Sequence, residues 1–194
     1  MIKKLLGSIR EYKKDSILAP IYVTLEVVLE VLIPFLMSMI IDRGVGEGDM
    51  PFIIRIGLIL IVSTLFSLSF GVLSGLHAAK ASAGFAKNIR KDMYYNIQDF
   101  SFSNIDQFST SSLITRLTTD ITNVQNSFQM IIRIMVRAPL MLVFSLLMAL
   151  NINSELGMVF LGAIPFLGLG LYLIMSKAFP IFQKVFRTYD KLNR

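Results

Sequence analysis

The chain has no cysteine, a single histidine and few charges of either sign. Without cysteine there is no disulfide framework and no thiolate metal site, and the redox compartment leaves no mark on the sequence. Charged residues make up 16% of the chain and hydrophobic residues 54%, and the mean hydropathy is +0.65. Soluble domains are nearer a quarter charged. Phosphate-loop chemistry is missing too: no G-x-x-x-x-G-K-[ST] pattern occurs, and Gly168 and Gly170 ahead of Lys177 lie at the wrong spacing inside an apolar run. These residues therefore do not hydrolyse a nucleotide. No Ser-His-Asp constellation, His-Glu metal cluster or nucleophile-base pair stands in the apolar runs, so neither catalytic nor metal-ligating residues are assigned, and an intramembrane enzyme is disfavoured.

What the chain has is length of apolar sequence. Runs long enough to cross a hydrocarbon core of about 30 Å, which takes about 20 helical residues, occur near 17–41, 53–76, 134–152 and 156–175. The first two are joined by DRGVGEGDMP and the last two by NINSE, short polar turns that make two hairpins. The expected fold class is an all-α membrane protein with four transmembrane helices and long cytoplasmic helical extensions. Lys3, Lys4, Arg10, Lys13 and Lys14 precede the first span, Lys80, Lys87, Arg90, Lys91 and Arg116 fill the middle segment, and Lys177, Lys184, Arg187, Lys191 and Arg194 follow the fourth. Only Arg43 and Arg55 belong to the short turns. The positive-inside rule then puts the amino terminus and the segment 77–133 in the cytoplasm. The net charge of +6 fits contact with an anionic leaflet, and no basic patch interleaved with aromatics suggests nucleic acid.

Within that frame, residues 1–16 read as an amphipathic interfacial helix: Ile2, Leu5, Leu6, Ile9 and Tyr12 recur at helical spacing with lysines opposite. The stretch HAAKASAGFAKNIRKDMYYNIQ has no proline and good helix formers, so the second helix should run out of the membrane unbroken. Cap and turn residues around Phe102, Ile105 and Phe108 predict a short helix at the tip. The return is amphipathic through Leu113, Ile114, Leu117, Ile121, Val124, Phe128 and Ile131, with Arg116 and Asp120 as an i, i+4 pair on its polar face. Ser63, Ser67, Gly71, Gly75, Ala79 and Ala83 repeat every four residues along the second helix, a spacing that admits close helix packing. The row drifts about 40° per step, so three or four of them can share one contact. Pro34, Pro139 and Pro165 lie inside spans and each frees a carbonyl four residues earlier. His77 stands at the inner end of the second span, where an ordinary interfacial role and a titrating one are both open.

Two carboxylates inside the first span, Glu26 and Glu30 of TLEVVLEVLIPFLMSMII, carry the most chemical information. Counted from Ile17 at 1.5 Å per residue they lie about 14 and 20 Å deep, one turn apart on one face. An ionised carboxylate there costs at least ~2.5–3.5 kcal/mol, so the face must turn toward a bundle interior or a wet cavity. Two readings follow: a cavity wall favouring cationic or hydrogen-bond-donating substrates, or helix–helix pairing. Arg133 and Arg137, near the inner end of the third span, either reach lipid phosphate or partner an acid on a neighbouring helix.

The order of amphipathic helix, span, short turn, span, stalk with transverse tip, span, short turn, span and second stalk resembles the transmembrane domain of ATP-binding cassette (ABC) exporters. SNIDQFSTSSLITRLTTDITNVQ is similar to the tip and returning helix of that family's first intracellular loop, with Ser111 where most relatives have glycine. EVVLEVLIPFLMSMIIDRGV resembles the bacterial heterodimeric multidrug exporters, half-transporters that pair with a second subunit. The resemblance implies the type 1 exporter transmembrane fold, incomplete, over 17–194. It also implies a coupling helix formed by Ser103, Asn104, Ile105, Asp106, Gln107 and Phe108 that meets a nucleotide-binding domain absent from this sequence. Two further spans are expected beyond Arg194. The implied function is ATP-driven, alternating-access efflux of hydrophobic or amphipathic compounds from a bacterial inner membrane. The complete transporter would use ATP and Mg2+, while the fragment itself holds no cofactor. The alternative is a signalling protein whose stalks relay a conformational change, against which the short outer turns count.

Overall fold

In the computed structural model the backbone is described for residues 7–99 and 110–192, and side chains for residues 7–99 and 111–179. All regular structure among the described residues is helical. Four helices are long and apolar enough to cross a membrane, so this is a multi-pass membrane protein. We number them α1 (Lys13–Met39), α2 (Met50–Gln98), α3 (Ser111–Ile152) and α4 (Ser154–Leu192). The backbone divides into two units, Met1–Phe144 and Ser145–Arg194.

In the first unit, α1 ends in a π-helical turn, Ile40–Val45. The chain reverses where Gly48 takes a φ of +70°, a left-handed conformation that suits glycine. Asp49 then caps α2: its Oδ1 accepts from the Phe52 N–H at 3.1 Å, with Pro51 in the first turn. From there α2 runs for 49 residues without an interior break.

The α1–α2 seam is built from small and β-branched side chains. Ala19, Val23, Val27 and Val31, spaced by four, are the buried face of α1. Across from them the predicted stripe behaves as its drift requires: Ser63, Ser67, Gly71 and Gly75 are half-buried, while Ala79 and Ala83 have rotated out to exposure. Ser74, Ala78, Ala81 and Ser82 take over the buried positions. Inside a bilayer this packing is held by van der Waals contact, because lipid tails are as apolar as the seam.

Beyond residue 77 the seam widens into a small apolar core. Ala78, Ala81, Phe85, Ala86 and Ile89 of α2 meet Ile121, Phe128 and Ile132 of α3, and the Phe85 and Phe128 rings stack at 4.4 Å between centroids. Of the expected amphipathic face, Ile121 and Phe128 are buried and Leu117 packs on this core, while Ile114, Val124 and Ile131 point away. The register shifts because α3 is not uniform: π-helical turns interrupt it at Arg116–Asp120 and Ile131–Met135. The second lies one turn before Pro139, whose ring nitrogen has no proton to give the Met135 carbonyl. In the first, the Leu117 carbonyl accepts from Arg90 Nε at 3.1 Å.

The segment ahead of α1 is also bound to the stalk. Gly7–Tyr12 forms a 3₁₀ turn broken at Arg10, which has φ 41° and ψ −112°; α1 already begins at Lys13. Of the interfacial helix expected over 1–16, residues 1–6 lie outside the described set, and the apolar Ile9 packs against the protein core. Tyr12 lies flat over Gly84, where an added Cβ would stand 2.3 Å from its ring. The Arg10 guanidinium meets both Asp92 oxygens, at 2.9 and 3.0 Å, and Asn88 Nδ2 donates to the Ser8 carbonyl at 2.9 Å. Glu11 joins the same face through Asn88 at 3.4 Å. A hydrogen bond with backbone at Glu11 holds its carboxyl below the ordinary range; partial desolvation works the other way, and Asn88, Lys87 and Arg10 add to the lowering.

In the second unit, Asn153 separates α3 from α4 and caps the latter: its Oδ1 accepts from the N–H groups of Glu155 and Leu156, at 3.0 and 3.2 Å. A side chain at Gly157 would meet the Leu150 backbone at 2.8 Å, so the tight turn requires glycine there.

Candidate functional site

Glu26 and Glu30 each precede a valine of the buried seam by one position, which sets them about 100° around α1 from the contact line. That rotation carries them off the dry seam and toward α3. One cation reaches both. Arg137 donates from Nη1 to Glu26 Oε1 at 2.8 Å and from Nη2 to Glu30 Oε1 and Oε2 at 2.6 and 2.8 Å. A guanidinium can do this because its donors lie in a planar fork that spans two carboxylates one helical turn apart. Of the two sequence readings for Arg137, reaching lipid or pairing with an acid, the structure has the pairing.

Gly71 makes room for the cluster. The Glu26 carboxylate lies directly over it, with Oε1 only 3.0 Å from where a Cβ would be. The other oxygen, Oε2, is buried without a hydrogen-bond partner among the described residues, as is Ser74 Oγ on the same helix. One turn along α2, Arg133 Nη1 stands 3.8 Å from the corresponding Cβ position of Gly75, an ordinary contact distance. Gly71 of the small-residue stripe thus serves a charged side chain as well as backbone approach.

Arg133 itself sits in the π-helical turn Ile131–Met135 and makes no ion pair or side-chain hydrogen bond among the described residues. It lies in a cavity of about 450 Å³ along α3, lined by Asn126, Gln129, Met130, Arg133, Ile134 and Arg137. Nearer the stalk, His77 Nδ1 and Asp15 Oδ1 are 2.7 Å apart, and the imidazole stacks on Tyr22 with centroids 5.5 Å apart. This ties the start of α1 to the middle of α2, a partnership that the isolated histidine gave no reason to expect.

The remaining sequence assignments separate. Arg116 and Asp120 open and close a π-helical turn with exposed side chains. Ser103 to Phe108, the expected coupling helix, lie outside the described residues. Among the described residues no group of three or more His, Asp or Glu side chains is placed to hold a metal ion.

The family model for the ABC transporter transmembrane region matches residues 16–194. The chain belongs to this family. Its ABC relatives include the uncharacterized ABC transporter ATP-binding protein YfiB of Bacillus subtilis (strain 168), 36% identical over 192 residues, which cover 99% of this chain and 34% of that protein. A second is the uncharacterized ABC transporter ATP-binding protein Rv1273c of Mycobacterium tuberculosis (strain ATCC 25618 / H37Rv), 26% identical over 96% of this chain and 32% of its own length. The putative ABC transporter ATP-binding protein exp8 of Streptococcus pneumoniae serotype 4 is 22% identical over 100% of this chain and 33% of its own length. This ABC transmembrane region therefore spans about a third of the length of the curated relatives it matches.

Proposed function

We propose that these residues form the membrane-spanning part of an ATP-driven exporter that moves hydrophobic or amphipathic compounds outward by alternating access. The observation that carries this reading is α2: one apolar helix long enough to span a bilayer runs from Met50 to Gln98 with no break. Such a member transmits displacement between the bilayer and a point well outside it, which a passive membrane anchor does not need. ATP and Mg2+ would be bound by nucleotide-binding domains of the complete transporter, a role consistent with relatives named as ATP-binding proteins. Contact with those domains falls to the Ser103–Phe108 segment in this reading. A second half-transporter subunit completes the path, and the setting is a bacterial inner membrane with the amino terminus in the cytoplasm.

Glu26 and Glu30 belong to the wall of the path. With Arg137 seated between them, a cationic cargo gains their carboxylates only by displacing the guanidinium, which makes the cluster a gate with a built-in competitor. The test is ATP-dependent uptake of a cationic amphipathic dye by inside-out vesicles holding the full-length protein and its partner subunit. Uptake that requires ATP and falls several-fold in a Glu26→Gln, Glu30→Gln variant of normal expression is expected. No ATP-dependent uptake of any hydrophobic or amphipathic compound would remove the exporter reading. Unchanged transport of every cationic substrate by the double variant would remove the two glutamates from the path.

A further inference from the structure

Glu26 and Glu30 balance Arg133 and Arg137 in charge, yet the contacts among the four are shared unequally. Arg137 alone makes the hydrogen bonds, one to Glu26 and two to Glu30. Glu26 Oε2 is left buried with no donor among the described residues, a costly position for a carboxylate oxygen. The missing donor stands one turn away on both neighbouring helices. Arg133 precedes Arg137 by four residues on α3, and its Nη1 lies against Gly75, one turn of α2 from the Gly71 that underlies the Glu26 carboxylate. Positions four apart on a helix face are about 5–6 Å from Cβ to Cβ. Because both positions are glycine, no side chain of α2 on that strip stands between the Arg133 guanidinium and the orphaned oxygen.

The helix directions make a second pairing available. Tyr12 over Gly84 and Glu26 over Gly71 set α1 antiparallel to α2, and Phe128 on Phe85 with Arg133 beside Gly75 does the same for α3. The two outer helices are therefore parallel to each other. Acids four apart on α1 face bases four apart on α3, so advancing α3 along its own direction by up to one turn replaces the shared arginine with two one-to-one pairs. We infer that Arg133 is the second partner of Glu26, and that the cluster has two registers: the observed one, with Arg137 on both acids, and another with Arg133 on Glu26 and Arg137 on Glu30. The π-helical turn Ile131–Met135 supplies the movement, because it contains Arg133 but not Arg137. Taking up its extra residue as α-helix turns one side of the joint against the other by about 100°. Glu26 holds an arginine in both registers, so α3 can move past α1 without stripping that acid of its partner. The inference rests on the exporter reading, in which this exchange belongs to the switch between inward and outward access. Arg133 is then a positioning residue that acts through Glu26.

Reach and exchange are tested separately in the full-length protein with its partner subunit. Glu30→Gln combined with Arg137→Gln leaves Glu26 and Arg133 as the last pair. Removing either from that background should lower the unfolding midpoint in detergent by several degrees, and removing both should restore it, a coupling expected only of residues in contact. Additive effects overturn the inference. Where that background folds poorly, ATP hydrolysis without added cargo decides. Arg133→Gln should lower turnover about fivefold or more while the unfolding midpoint moves little, because the observed register does not use Arg133. Adding Glu26→Gln should return turnover to within about twofold of the Glu26→Gln variant alone, since both registers then depend only on Arg137 and Glu30. A packing or lipid-binding role for Arg133 would not be relieved by neutralising Glu26. Turnover unaffected by Arg133→Gln, or a defect that survives the added Glu26→Gln, overturns the exchange. Coupling between Glu26 and Arg133 in a complex that hydrolyses no ATP supports the second register and counts against the exporter reading alone.

Discussion

Two sets of arginine–carboxylate contacts hold the first helix and its lead-in segment, and they differ in what surrounds them. At the stalk, Arg10 meets Asp92 with side chains 48% and 36% exposed; in the other cluster Arg137, 34% exposed, meets Glu26 at 12% and Glu30 at 35%. Distances are nearly equal, so geometry alone does not rank them. Solvent does. The exposed pair exchanges protein contacts for water at little cost and is screened by salt, whereas the Glu26 carboxylate is largely shielded and its bond to Arg137 is screened less. The same kind of bond is therefore expected to be a minor restraint in one place and a larger one in the other.

The contrast is most strongly tested at Arg137. Arg137→Met removes the cation that bonds both carboxylates and should destabilise the full-length protein by about 3–5 kcal/mol, read as an earlier unfolding transition in detergent. Adding Glu26→Gln and Glu30→Gln should recover most of the loss, since the polar face is then neutral. A single variant as stable as the parent would show that the cluster is not needed. Next in size is Gly84→Ala, which puts a Cβ into the Tyr12 ring. Displacing a packed ring costs about 1–3 kcal/mol, and the loss should disappear when Tyr12→Ala is combined with it; a non-coupled pair would deny the contact. The smallest effect is expected of Asp92→Ala, within ~1 kcal/mol and shrinking further in high salt. An effect as large as that of Arg137→Met would erase the distinction between the two regions.

Much of this arrangement was legible in the sequence because it depends on local pattern. Apolar length gave four spans, an absence of proline gave the unbroken α2, and the spacing of Glu26 and Glu30 put both acids on one face. The choice of Arg137 over lipid as their partner was not legible, since the partners stand 107 and 111 residues apart and only tertiary packing brings them together. The amino-terminal segment shows a different limit. Its apolar stripe says that Ile9 and Tyr12 need an apolar neighbour, but a bilayer surface and the stalk of α2 satisfy that need equally well in a one-dimensional pattern. The π-helical turns of α3 left only Pro139 as a trace, because an i+5 hydrogen bond has no residue signature of its own.

The two helices of the stalk differ mechanically. At 1.5 Å per residue the 49 residues of α2 make a strut about 74 Å long with uniform turns and hence uniform stiffness. Its neighbour α3 has two widened turns, Arg116–Asp120 and Ile131–Met135, where the hydrogen-bond ladder is already offset and bending strain concentrates. In the proposed exporter, a load at the far end of the stalk would be carried by α2 and would bend α3 at its two widened turns, the second of which holds Arg133.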